Sequence, residues 1–385
     1  MIILALFLLT GSVLLWDVTH QKISIEEAES PTSASGSGEW LIWIEDSGQE
    51  ISITATNVIS KTNRTLGGMT WESQPQVVSS GNSFVVYDEF RVDYFRHDSE
   101  AGILEPIFSE YSAESLIDIS ISSSSINTGY IAMLSNESLR IVDTSDQSTR
   151  ILESVPNSSV VASSGPLVAF SANTPSGPTV NITSADSDLT LTILLDPRSS
   201  EGIEESIRNS GTLLDFGNST IVELVMDSNW LVATVDVGPF NRTIMVDTSS
   251  INQTLISNPR WDSSSPSIGE GKVAFLQVTR DSIISTSQDS LRNNDVYVYY
   301  IESAETRQHT FDDDVDQFQP QILQDRLAWI EVNDQGEKQL LVYSFIDTIE
   351  PRNSLLLQAS ILAMIPLIFL WTLQSYGAEI VTQRV

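Results

Sequence analysis

Short apolar runs separated by polar turns recur along the whole chain. Three stretches share one order: QPQVVSSGNSFVVYDEF (74–90), SPSIGEGKVAFLQV (265–278) and QPQILQDRLAWIEV (319–332). Each has a polar start containing proline, a first strand, a Gly or polar turn, and a second, more apolar strand. Seven runs fit that second strand: WLIWIE from Trp40, FVVYDE from Phe84, YIAML from Tyr130, PLVAF from Pro166, WLVATV from Trp230, KVAFLQV from Lys272 and LAWIEV from Leu327. The six intervals from Trp40 to Leu327 average about 48 residues, close to the period of a propeller blade. A third strand with period-two alternation follows in ISITAT (from Ile51), SLRIVD (Ser138), RTIMVD (Arg242), DVYVYY (Asp295) and QLLVYS (Gln339). No long amphipathic pattern separates these runs, which argues against βαβ units.

A blade of three or four short strands cannot bury its own faces, so blades stack around an axis. Radial closure leaves only short strand edges. The expectation is an all-β fold, a β-propeller of seven blades (six to eight fit the spacing), over residues 31–347. Trp40, Trp43, Trp71, Trp230, Trp261 and Trp329 fall in or just before strands and are expected to pack between blades. Two insertions interrupt the repeat. DPRSSEGIEESIRNSG (196–211) has room for a short helix, and DSIISTSQDSLRNN (281–294) splits two strands of the sixth unit. The IGEGK stretch (268–272) joins two strands and lacks Walker spacing, so it reads as a hairpin turn.

The sequences DQFQPQILQDRLAWIEV (316–332), QLLVYSF (339–345) and NNDVYVYYIESAETRQHTF (293–311) resemble the TolB-type propeller repeat in its divergent, membrane-anchored surface form. The resemblance spans roughly residues 30–345 and is closest in the last two units. It implies an extracellular or periplasmic binding scaffold, or a non-catalytic domain working beside an enzyme domain.

Both ends of the chain are apolar. Ile2 to Trp16 would reach roughly 22 Å as a helix, short of a ~30 Å hydrocarbon core. Residues 1–20 are therefore expected to form a leader helix, either a signal peptide or an uncleaved anchor, with 21–30 a linker. Leu355 to Leu373 is uncharged and would span about 28 Å. It is expected to be a transmembrane helix, with 374–385 a short cytosolic tail and the propeller outside. The expected location is the cell membrane, crossed once or twice according to the fate of the leader. Seven Asn-x-Ser/Thr sequons, at Asn63, Asn136, Asn157, Asn181, Asn218, Asn241 and Asn252, are candidate glycosylation sites on such an exported surface.

Charge narrows the partners. With 19 basic against 51 acidic residues the net charge is −32, which repels nucleic acid and anionic lipid alike. There is no cysteine, which removes disulfides, thiolate metal sites and cysteine nucleophiles. His20, His97 and His309 sit in no metalloprotease motif, and no G-x-S-x-G elbow occurs, so no catalytic residue is assigned. Asp312, Asp313, Asp314 and Asp316 form the one dense acidic cluster. They offer hard oxygen donors for Ca²⁺, but the spacing matches no EF-hand, so a solvated acidic turn is the preferred reading and no other cofactor is implied. The expected role is a membrane-tethered extracellular binding or scaffolding module, without catalysis, for an unidentified protein or glycan. A propeller hydrolase or lyase acting on polysaccharide or peptide, and a structural envelope glycoprotein, are the alternatives.

Overall fold

The computed structural model describes residues 23–24 and 31–345, apart from short internal stretches of which 97–105 and 279–293 are the longest. The expected leader (1–20), membrane segment (355–373) and tail lie outside the described residues. Seven four-stranded antiparallel sheets follow one another along the chain, forming a seven-bladed β-propeller. Blades 1 to 6 begin at Pro31, Gln76, Leu116, Val161, Thr220 and Asp262, and blade 7 begins at Val315. Each of the first six is a simple meander. The seventh sheet takes its outer strand from Ile23–Ser24, within the stretch expected to be a linker.

The seven innermost strands are Pro31–Ser37, Gln76–Ser80, Leu116–Ser125, Val161–Ser164, Thr220–Asp227, Asp262–Gly269 and Val315–Ile322. Each lies against its neighbours in order, and the last returns to the first. The seven expected second strands are all present; that of blade 1 is Trp40–Asp46 and that of blade 7 is Arg326–Asn333. Both of their faces are covered by neighbouring blades, which is why they read as continuous apolar runs instead of alternating ones. Leu41, Ile42, Trp43 and Ile44 are all buried, as are Val273, Ala274, Phe275 and Leu276 in blade 6.

The core is a series of layers between blades. Ile42, Ile44, Ile53, Phe84 and Phe95 pack blade 1 on blade 2, with the Phe84 and Phe95 rings stacked at 4.7 Å. Equivalent layers join blades 2 and 3, 3 and 4, 4 and 5, and 5 and 6. Each large apolar side chain so buried contributes about 1.5–3 kcal/mol. Trp40 and Trp71 pack against the first layer and Trp230 and Trp261 against the blade 5–6 layer, as their positions in the repeat predicted. Trp43 and Trp329 are buried and share a further device. Each indole Nε1 donates to the glutamate two residues on, Glu45 at 3.1 Å and Glu331 at 3.2 Å.

In blades 1, 2, 4, 5 and 6 the hairpin between first and second strands turns on two residues, the first at positive φ: Gly38, Gly81, Gly165, Ser228 and Glu270. Such turns match the twist of the flanking strands. The turn at Glu270-Gly271 confirms the hairpin reading of IGEGK. The first insertion contains a helix, α1 (Glu201–Asn209). Ile207 of α1 is buried in the blade 4–5 layer. Its Glu204 accepts from Arg242 Nη1 at 2.7 Å, and Arg242 also donates to the Pro197 and Pro259 carbonyls. Burial pushes the Glu204 carboxyl up, but the bonds from Arg242 and Ser199 outweigh it and hold the group below its usual range. The second insertion lies almost wholly outside the described residues.

Candidate functional site: the axial cavity

The innermost strands are rich in serine and glycine, as in PTSASGS and VASS, which are poor strand formers by propensity. Their small side chains let seven strands converge on the axis without filling it. A cavity of about 590 Å³ remains there, walled by all seven innermost strands.

Neighbouring innermost strands do not form a common sheet. Side-chain oxygens on one blade instead accept from backbone N–H groups of the next. Ser33, Ser35 and Ser37 of blade 1 accept from Val77, Ser79 and Gly81 at 3.3, 2.9 and 2.7 Å. Asp118 of blade 3 accepts from Val161 at 2.8 Å, and Ser164 of blade 4 from Ser228 at 2.7 Å. Glu223 of blade 5 accepts from Ser265 at 2.7 Å, and Ser267 of blade 6 from Ile322 at 3.1 Å. Gln319 and Gln321 of blade 7 accept in turn from Ala34 and Gly36 of blade 1 at 2.9 and 3.1 Å, so six of the seven junctions carry such bonds among the described residues. Each such bond is worth about 1 kcal/mol and satisfies a donor that would otherwise be left at a strand edge.

Bulges shape the leading ends of these strands. In blades 1, 3 and 5 one extra residue is inserted just before the sealing residue, at Thr32, Ile117 and Val222. Ile117 and Val222 are 41% and 38% exposed. Together with Asp118, Glu223, Val160, Val225 and Pro266 they line a second cavity of about 380 Å³ at that end of the axis. The Asp118 carboxyl is set deep in this wall. Burial raises it to about 6, against the pull of the Val161 and Ile119 N–H groups. Burial also raises Glu223, against hydrogen bonds from Ser265 and Thr234, and the nearby Asp262 adds to the rise. Burial first, and Asp118 second, push the Tyr87 hydroxyl up as well, so it stays neutral. Asp118 and Glu223 belong to no motif. The signal that marks them is an acid after a strand-opening apolar pair (LID, IVE) where the first blade has PTS.

The residues singled out from the sequence are scattered. Asp312, Asp313 and Asp314 lie outside the described residues, and Asp316 accepts from the Asn294 N–H at 3.0 Å. Among the described residues no group of His, Asp and Glu is arranged to hold a metal ion. His309 follows the fourth strand of blade 6, Glu305–Gln308, and does not line the axial cavity; its Nε2 lies 3.0 Å from the Tyr300 hydroxyl. Burial, then Arg307, lowers it to about 4, so it is neutral. His20 and His97 lie outside the described residues. Asn63, Asn136, Asn218 and Asn252 are exposed, while Asn181 and Asn241 are half-buried within strands. Asn157 lies outside the described residues. Among the described residues no helix is long and apolar enough to cross a membrane.

The axial wall and the sheet order define the chain as a seven-bladed β-propeller. No family model and no curated protein matches its sequence. Solved structures match its fold. The β-propeller domain of Cps50 (Swd1) from Myceliophteria thermophila aligns with TM-score 0.55 and 13% identity, covering 84% of this chain and 99% of that one. The propeller domain of the Trilobed protease from Pyrococcus furiosus aligns with TM-score 0.54 and 10% identity, over 82% and 96%. An acylaminoacyl peptidase from Pyrococcus horikoshii gives TM-score 0.54 and 9% identity over 82% of this chain, which spans about half (51%) of that longer one. At such identities the likeness is one of fold alone.

Proposed function

We propose that this protein is a non-catalytic binding propeller, built from divergent TolB-type repeats and held outside a cell membrane by Leu355–Leu373. The observation that carries the binding reading is the axial wall. Its serine, glutamine and carboxylate oxygens are engaged in holding one blade to the next, which fixes the opening in shape. A preformed concavity with a few oriented polar groups is what a binding site requires. The tether is supported by the uncharged length of 355–373 and by a leader-like N-terminal run.

The absence of cysteine makes the topology directly testable. A thiol placed by Gln335→Cys, on an exposed turn of blade 7, is expected to react with a membrane-impermeant maleimide on intact cells. One placed by Ser375→Cys is expected to react only after lysis. Equal labelling of both, or protection of Gln335→Cys, overturns the tethered arrangement. A glycan and peptide array probed with the full chain then reads binding directly.

A second reading, a hydrolase or lyase, is favoured by one observation: two carboxyls with raised pKa line one cavity. Turnover of any array ligand, abolished by Glu223→Gln, would establish it in place of the first.

A further inference from the structure

Three equivalent positions follow the bulges in blades 1, 3 and 5, and all three do the same structural work. Ser33, Asp118 and Glu223 each accept from the innermost strand of the next blade. Blade 1 shows that a serine hydroxyl is sufficient. A carboxylate in that place costs more, because burial disfavours its charged form. Two carboxylates stand there nevertheless, and both face the same cavity of about 380 Å³. The residue before each is also changed in kind. Thr32 in blade 1 becomes Ile117 and Val222, large apolar side chains left 41% and 38% exposed. Sealing the ring explains neither substitution.

We infer that this cavity binds an organic cation carried on an aliphatic stem, such as a lysine side chain or an alkylamine. The Asp118 and Glu223 carboxylates receive the ammonium, and Ile117, Val222 and Pro266 cover the stem. The inference deepens the binding reading given above by naming its ligand chemistry. An ammonium has donors only, so it complements carboxylates that line a cavity. A long amphipathic chain buries its methylenes while keeping its charged head hydrogen-bonded. A calcium ion fits the site poorly. It takes six to eight oxygen ligands, whereas this cavity offers two carboxylates in a wall that is largely aliphatic. The net charge of −32 draws a cationic ligand towards the whole molecule.

The test is saturation-transfer NMR on the full chain in detergent, near neutral pH and at physiological salt, with n-pentylamine, its neutral counterpart 1-pentanol, and calcium chloride as competitor. The amine is expected to give saturable transfer to its methylenes. Its affinity should fall at least tenfold in the Asp118→Asn, Glu223→Gln double variant, and 1-pentanol should bind at least tenfold more weakly than the amine. The amide variants keep an acceptor for Val161 and Ser265, and a second pair, Asp118→Ser and Glu223→Ser, copies blade 1; circular dichroism identifies the folded ones. Equal binding of amine and alcohol, an unchanged affinity in the folded variants, or displacement of the amine by calcium each overturns the proposal. None of these outcomes bears on the maleimide topology, so the two readings fail separately.

Discussion

Asp118 shows at the scale of one residue how a structural hydrogen bond can carry an energetic penalty. Its carboxyl rises from the ordinary carboxylate range to about 6, because burial outweighs two backbone donors. The folded state therefore binds more protons than the unfolded one between about pH 4 and pH 6. Stability on this account falls as pH rises through that window, and the penalty is complete above it. The amide of Asp118→Asn still accepts from Val161 but never ionises. That variant is expected to match the parent near pH 4 and to exceed it by about 1–3 kcal/mol near pH 7.5, read by urea unfolding at both values. An equal difference at the two pH values would mean that the carboxyl is not raised. Nothing local in LIDISISSSS announces this. The rise comes from burial in the assembled ring, and the Val161 N–H that opposes it is supplied from forty-three residues away.

The element that most departs from its propensity is the innermost strand. PTSASGS lacks the β-branched and aromatic residues that favour strands, apart from Thr32, and it resembles the linkers between repeats. It is a strand because tertiary packing at a crowded axis rewards small side chains carrying hydroxyls. Gly36 gives the clearest case. A Cβ there would lie 2.5 Å from Leu323 Cδ2, and the Gly36 N–H donates to Gln321 Oε1 at 3.1 Å. This is the junction where blade 7 meets blade 1. Gly36→Ala is therefore expected to destabilise the protein by about 1–3 kcal/mol. The matching change at Gly38, whose Cβ would meet nothing within 4 Å, suffers only from its φ of +58° and should cost less. Thermal melting of both variants checks the order, and a neutral Gly36→Ala would contradict the close approach. The second strands behave oppositely. WLIWIE and KVAFLQV were legible as elements because covering both faces of a blade demands an unbroken apolar run.

At the scale of the whole molecule, acidic side chains far outnumber basic ones. Self-repulsion among 51 acidic residues, opposed by 19 basic ones, should be relieved by salt. Raising the ionic strength from about 0.01 M to about 1 M shortens the Debye length from about 30 Å to about 3 Å. The melting temperature of the full chain is expected to rise by about 2 °C or more over that range. A fall would show that attractive pairs such as Arg242 with Glu204 dominate over repulsion. The same field is what would steer a cationic ligand to the axial end cavity.

The seven apolar runs, their period and the five alternating third strands are local properties of the sequence. They determined the fold class by themselves, since each blade must bury both faces on its neighbours, and left six to eight blades open; the seven closed sheets fix the number. The acidic charge and the lack of cysteine likewise follow from composition alone. The axial wall was decided only in three dimensions. Which serine meets which backbone N–H depends on strands forty or more residues apart, and for Gln319 and Ala34 on the two ends of the ring. Asp118 and Glu223 become neighbours of one cavity for the same reason: a closed ring sets side by side residues that the chain keeps far apart.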